Sequence, residues 1–251
     1  MKLSSTEIKK YLTSNDSNFK RFKMHYTSKE ILAIDAFNIN KVDTFSYYGS
    51  YENLKNINEF LSTLGDNNMV LVNKMEKIIY NITKKVLKGY NMNHFWMDIR
   101  VTMPNNLYDI PRWHKDGKFF SNDINEKDTS KFVTVFKGPG TLLIKSTKRV
   151  NEIFNKVDEQ LRYERRLRVM TIEEQYKVAD KYRPIFAKEL SKEPVVQPKN
   201  NEGLIFFTGV PSRDNAVVHS EPKMDVPRMF ISILPGTEEN IKERRRMKFA
   251  K

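Results

Sequence analysis

Two histidines, one aspartate and one arginine stand out by type and spacing. In PRWHKDGKFF a single residue separates His114 from Asp116, so on an extended chain the imidazole and the carboxylate leave the same side. A second imidazole, His219, ends the apolar run AVVH, and Arg228 opens the next run, RMFISIL. Two imidazoles and a carboxylate on one face of a metal ion leave its other positions open, an arrangement suited to non-haem Fe(II) and oxygen chemistry. A guanidinium pairs bidentately with carboxylates, so Arg228 is suited to an anionic group.

Strands must position these groups. Between Gly203 and Pro235 the apolar runs LIFF, AVVH and RMFISIL are separated by Gly, Pro, Ser, Asp and Asn, the pattern of consecutive strands in an antiparallel core. His219 and Arg228 are expected on adjacent strands, and Ser232 shares the face of Arg228. HFWMDIRVTM alternates with period two, and PNNLYDIP turns the chain into the His-x-Asp segment. Arg100 and Tyr108 are candidate substrate contacts at the mouth. Trp113 and Phe119, with Phe206, Phe207 and Phe230, are candidate pocket lining, and His94 is read as structural or exposed. KFVTVFKGPGTLLIK reads as two strands about a Gly-Pro-Gly turn, and SNDINEKDTS before it as a mobile rim.

On these residues the chain resembles the Fe(II)- and 2-oxoglutarate-dependent dioxygenases, most of all the prolyl-4-hydroxylase type. The order of a His-x-Asp pair, a Gly-led strand, a distal His and an Arg soon after is that family's order. The likeness runs from about Asp98 to Pro235, apart from one long insert. It implies an α+β fold with a double-stranded β-helix (jelly-roll or cupin-like) core at 93–145 and 194–235. It also implies Fe(II) on His114, Asp116 and His219, the far carboxylate of 2-oxoglutarate on Arg228, and Ser232 and Thr134 as further cosubstrate contacts. The reaction implied consumes O2 and 2-oxoglutarate and hydroxylates a C–H bond, or demethylates where that carbon is an N-methyl group. Many such enzymes carry Tyr on the strand of Thr134, where this chain has Phe136 or Lys137.

Around this core, residues 1–92 read as mainly helical support. Ser4 and Glu7 make a capping-box pattern, FSYYGSYENL reads as a link, and apolar residues from Met69 to Val86 recur at helical spacing until Gly89. Residues 146–193 read as a helical insert of two halves, with a capping box at Thr171 and Glu174 and a kink at Pro184. Within it, RYERRLR is the candidate grip for an anionic substrate. Residues 236–251 form a basic tail, with disorder the default expectation.

The 251 residues suit one catalytic domain. Forty-four Lys and Arg against 31 Asp and Glu give a formal charge of +13, which favours acidic partners. The absence of cysteine excludes disulfides and thiolate metal sites. With no signal core and no long apolar run, an intracellular location, cytoplasmic or nuclear, and no membrane partner are expected. A protein or peptide is the favoured substrate, with nucleic acid open on charge. The alternatives are a basic nucleic-acid-binding protein or nucleic-acid-directed demethylase, and a cupin-like metal protein without 2-oxoglutarate chemistry.

Overall fold

The computed structural model describes residues 1–14, 17–117, 119–120, 130–209 and 216–249. Helices and strands alternate in the N-terminal part: α1 (Ser5–Thr13), β1 (Phe19–Lys23), α2 (Ser28–Ala36), β2 (Asp43–Ser50), α3 (Ile57–Ser62) and α4 (Met69–Tyr90). Three strands follow, β3 (His94–Thr102), β4 (Ser130–Lys137) and β5 (Leu142–Ile144), and then the helices α5 (Lys148–Arg166) and α6 (Ile172–Glu189). The chain closes with β6 (Val195–Val196), β7 (Glu202–Phe207), β8 (Val218–Ser220), β9 (Arg228–Gly236) and α7 (Glu238–Phe249).

The strands form two antiparallel sheets, one of six strands in the order β1-β7-β4-β9-β3-β2 and one of three in the order β6-β5-β8. Period-two alternation gives the large sheet two buried faces. On one face Phe95 and Met97 of β3, Phe132 and Phe136 of β4, and Ile231 and Ile233 of β9 join Val72, Met75 and Ile79 of α4 in the main core. On the other, Val133, Val135, Leu204, Phe206 and Phe230 meet Leu143 of the small sheet. The space between the sheets is therefore a second core.

Three expectations for the N-terminal part change. Residues 1–92 are more than helical support, because β1 and β2 are the two edge strands of the large sheet. The supposed link FSYYGSYENL is largely β2, paired with β3 from Asp43↔Val101 to Ser50↔His94. Its aromatic residues favour a pleated, half-buried surface, which outweighs its polar look. Finally, α4 does not stop at Gly89. It continues to Tyr90 and ends at Asn91, whose φ of 56° is left-handed. Gly89 serves packing instead, since a Cβ there would lie 2.6 Å from two carbons of Ile8 on α1.

Residues 148–189 form the two helices α5 and α6, with Thr171 and Glu174 closing a capping box, and α6 runs through Pro184. The rings of Phe154 and Phe186 lie 5.0 Å apart between α5 and α6, and the cluster around them reaches Trp113, Ile144 and Val218. The basic tail is ordered as α7 rather than disordered. Ile241 is buried, Arg244 lies over the Trp96 ring at 4.9 Å, and Lys248 donates to Ser46 Oγ at 2.8 Å. His94 is structural, its Nε2 3.9 Å from Glu238 at the start of α7. The rim loop SNDINEKDTS lies outside the described residues except for Ser130, the first residue of β4.

One glycine marks where the large sheet is packed most tightly. A Cβ on Gly203 would lie 2.5 Å from Phe132 Cε2 and 3.1 Å from Met24 Sδ. Gly203→Ala should therefore overpack the core and cost about 1–3 kcal/mol. Urea unfolding checks this, and a second change, Phe132→Leu, should restore part of the loss.

Candidate metal centre

The His-x-Asp segment joins the small sheet through one isolated bridge, His114↔His219. Each residue donates its backbone N–H to the other's carbonyl at 2.9 Å. Directly opposed antiparallel residues project from the same face, so the two rings come to 4.2 Å between centroids. Asp116, two residues further on, follows on that face. One ligand atom from each of His114, Asp116 and His219 lies within 4.8 Å of the others.

Both rings are tied back. His114 Nδ1–H donates to the Arg112 carbonyl at 2.8 Å and His219 Nδ1–H to the Val217 carbonyl at 3.0 Å. This fixes the tautomer that leaves each Nε2 lone pair free, the usual outer-shell arrangement of metal-bound histidine. Among the described residues neither Nε2 makes a hydrogen bond. Asp116 Oδ2 is buried without a well-formed hydrogen bond, although the Lys131 ammonium lies against it. Three donor atoms with spare lone pairs, of imidazole and carboxylate type, fit a first-row divalent cation.

The charge states agree with that fit. Burial lowers His114, and burial together with the neighbouring His114 pushes His219 down to about 3, so both rings are neutral at neutral pH. Burial alone would raise Asp116, but the Lys131 ammonium and the two neighbouring imidazoles together hold the carboxyl well below the usual range. Lys131 Nζ in turn lies 5.0 Å from the Phe206 ring centroid and 5.6 Å from that of Phe119.

The triad opens on a cavity of about 220 Å³ between the sheets. Arg228, Phe230, Ser232 and Leu234 of β9 line it in alternation, as do Trp96, Asp98, Arg100 and Thr102 of β3. Arg228 is 5% exposed. Its Nε donates to the Pro139 carbonyl at 2.8 Å and its Nη2 to Thr141 Oγ1 at 3.2 Å. Burial lowers it to about 10, which leaves it charged at neutral pH, and among the described residues it has no ion-pair partner. A buried cation so placed is costly unless an anion joins it.

Most of the sequence-predicted site residues meet here. His114, Asp116, His219, Arg228, Ser232, Arg100, Tyr108 and Phe119 all line the cavity, together with Phe206 and Phe230. Three expectations fail. His219 and Arg228 are not on adjacent strands: β8 and β9 belong to different sheets, so the two side chains reach the cavity from different sheets. Thr134 is on the wrong side of β4, its Oγ1 donating to the Glu202 carbonyl at 3.2 Å, and Phe136 beside it lies in the main core. The hydroxyl at the guanidinium is that of Thr141. Trp113 is buried in the cluster beneath the insert rather than in the cavity, and Phe207 packs on the main core.

Lys131, Arg112, Glu221 and Asp98 also line the cavity and were not anticipated. Asp98 had a visible signal, because period-two alternation puts it on the face of Arg100. Lys131 had none, since it looks like one more lysine in a lysine-rich chain.

No protein-family profile matches this chain, and no curated relative does. Solved structures do match. A cobalt(II) complex of "the Kdo hydroxylase KdoO, a non-heme Fe(II) alphaketoglutarate dependent dioxygenase" is 12% identical, with 99% of this chain and 94% of that one covered and a TM-score of 0.50. A Pseudomonas putida prolyl-4-hydroxylase is 8% identical over 93% of this chain and 98% of its own, with a TM-score of 0.41. A Trichoplax adhaerens prolyl hydroxylase, solved with a hypoxia inducible factor peptide fragment, is 8% identical over 95% and 91%, with a TM-score of 0.38. The chain is thus similar in fold to a non-haem Fe(II) hydroxylase.

The buried imidazoles set a pH dependence for the metal-free protein. Their folded values lie below the ordinary 6.5, so between those values the unfolded chain binds protons that the folded chain refuses. Their stabilising effect is complete above about pH 6.5 and is lost as pH falls toward 3, at up to about 1.4 kcal/mol per pH unit for each ring. Urea midpoints should fall from pH 7 to pH 5, and His219→Gln should flatten that slope.

Proposed function

We propose that this chain is an Fe(II)- and 2-oxoglutarate-dependent oxygenase that hydroxylates, or oxidatively demethylates, a C–H bond of its substrate. One observation carries the reading: His114, Asp116 and His219 converge on the cavity that also holds the buried guanidinium of Arg228, which has no ion-pair partner among the described residues. The strand order supports a double-stranded β-helix, with β3-β9-β4-β7 in one sheet and the His114 segment, β8, β5 and β6 in the other.

Each residue has a role in this reading. The two Nε2 atoms and the Asp116 carboxylate hold Fe(II), while the Arg112 and Val217 carbonyls keep the rings in the ligating tautomer. Lys131 orients the Asp116 carboxylate and keeps it ionised. Arg228 binds the far carboxylate of 2-oxoglutarate, with Ser232 on the same face, and Thr141 and the Pro139 carbonyl fix the guanidinium plane. Iron, 2-oxoglutarate and O2 together supply the oxidising power, leaving succinate, carbon dioxide and the oxygenated substrate as products. Phe119, Phe206 and Phe230 line the space and limit access of water.

A protein or peptide substrate is the favoured class. No described helix is long and apolar enough to cross a membrane. A cupin-like metal protein without 2-oxoglutarate gives Arg228 no anion to bind. A nucleic-acid-binding protein with structural histidines leaves both Nε2 atoms without a purpose.

Anaerobic titration with Fe(II) and then 2-oxoglutarate should produce a weak visible charge-transfer band. His219→Ala should abolish it. Arg228→Ala should require on the order of 30-fold more 2-oxoglutarate, because removing one partner of a buried charged pair costs about 2 kcal/mol or more. A folded wild-type protein that binds neither ligand overturns the assignment.

A further inference from the structure

The triad and Arg228 leave a second group of arginines unexplained. Arg100 comes from β3, Arg112 precedes His114 by two residues, and Arg183 comes from α6 of the insert. They converge on Tyr108 at the cavity mouth. The Arg183 guanidinium lies 5.6 Å from the Tyr108 ring centroid. Burial and Glu221 push the Tyr108 phenol up, while Arg112, Arg183 and Arg100 all lie close enough to pull it down. The RYERRLR run expected to grip an anion is elsewhere: Arg162 pairs with Asp158, Arg168 pairs with Glu174, and none of its residues lines the cavity.

Each of the three converging guanidiniums is held by one carboxylate. Arg100 Nη2 donates to Asp98 Oδ2 at 3.0 Å, Arg112 donates to both oxygens of Glu221 at 2.5 and 3.3 Å, and Arg183 Nη1 lies 3.3 Å from Asp180. A guanidinium has five N–H donors in a fixed fork, so one carboxylate leaves most of them unused. Arg100 and Arg112 are 49% and 43% exposed in their side chains, and Arg183 Nε is buried with no acceptor among the described residues. The Asp98 and Glu221 side chains are only 7% and 20% exposed, so Arg100 and Arg112 compensate buried carboxylates while keeping further donors at the cavity mouth. The tethers restrict rotamer freedom in advance, as a preformed binding site requires.

We propose that Arg100, Arg112 and Arg183 form an oxyanion-binding ring that seats a phosphate or carboxylate group of the substrate at the mouth of the cavity. The substrate class is then an anionic molecule or an anionic side chain on a peptide, and the insert supplies specificity by contributing Arg183. This rests on the oxygenase reading and narrows its substrate.

Calorimetric titration of inorganic phosphate, and separately of acetate, into the metal-free full chain tests the site, with ionic strength held constant by chloride. Phosphate or acetate should bind, and the tighter of the two identifies the oxyanion. Arg112→Gln with Arg183→Gln should weaken that binding at least about tenfold, while Arg162→Gln, a loss of charge on α5 outside the cavity, should leave it within about twofold. Because Arg112→Gln leaves the Glu221 carboxylate unpaired and endangers the fold, Arg183→Gln alone is titrated too and should weaken binding at least about threefold. The proposal is overturned if neither anion binds above the chloride background, or if Arg228→Gln removes the binding and the ring variants do not. No iron or 2-oxoglutarate is present, so failure here and failure of the metal assignment are separate results.

Discussion

Two backbone hydrogen bonds between residues 114 and 219 hold the candidate metal centre together. They join segments far apart in the chain into a bridge only one residue pair long. Because opposed antiparallel residues share a face, that pair brings both imidazoles to the same point, and Asp116 follows two residues on. The small sheet holds one side of the bridge through β8 and β5, with Leu143 facing His219 in register. The insert supports the other side from beneath, where Trp113, next to His114, is buried with Phe154 and Phe186. The helices at 148–189 thus anchor the ligand segment as well as reaching the mouth.

Charge in the cavity is arranged in layers. At the bottom, Arg228 is buried and, among the described residues, donates only to neutral acceptors. In the middle, Lys131 lies against Asp116 beside two neutral imidazoles. At the mouth, Arg100 and Arg112 each carry their own carboxylate. Cations in low dielectric are expensive unless paired. Among the described residues the inner layer has no ion-pair partner and is therefore where the structure is best prepared for an anion. The outer layer is neutralised within the protein and presents directional donors rather than bulk charge, so its selectivity comes from geometry.

The elements outside the two sheets also have defined tasks. α7 covers β2 and β3 through Ile241, Arg244 and Lys248, so a segment that reads as a solvated basic tail closes the edge of the large sheet and backs the cavity wall at Trp96. Tyr48 stacks on the same indole at 5.4 Å. Basic side chains with long apolar stems can cover aromatic surface while their charges reach water, a task that net charge alone does not reveal.

Local chemistry was sufficient to read much of this protein. A single residue between His114 and Asp116, a His at the end of one apolar run and an Arg at the start of the next single out the candidate ligands and the candidate anion site without any knowledge of packing. Period-two alternation put Arg100 on the cavity side, and helical spacing located α4. Alternation assigns one residue in two to a face without saying which face meets the cavity, and there the reading of Thr134 went wrong. Partners distant in sequence were beyond reach for the same reason. That His219 and Arg228 reach one cavity from two sheets, that Lys131 meets Asp116, that Trp113 packs against the insert and that Arg183 reaches Tyr108 depend on how the sheets close. A sequence carries residue types and local periods, while contacts between distant segments are set only when burial of the apolar faces brings the sheets together.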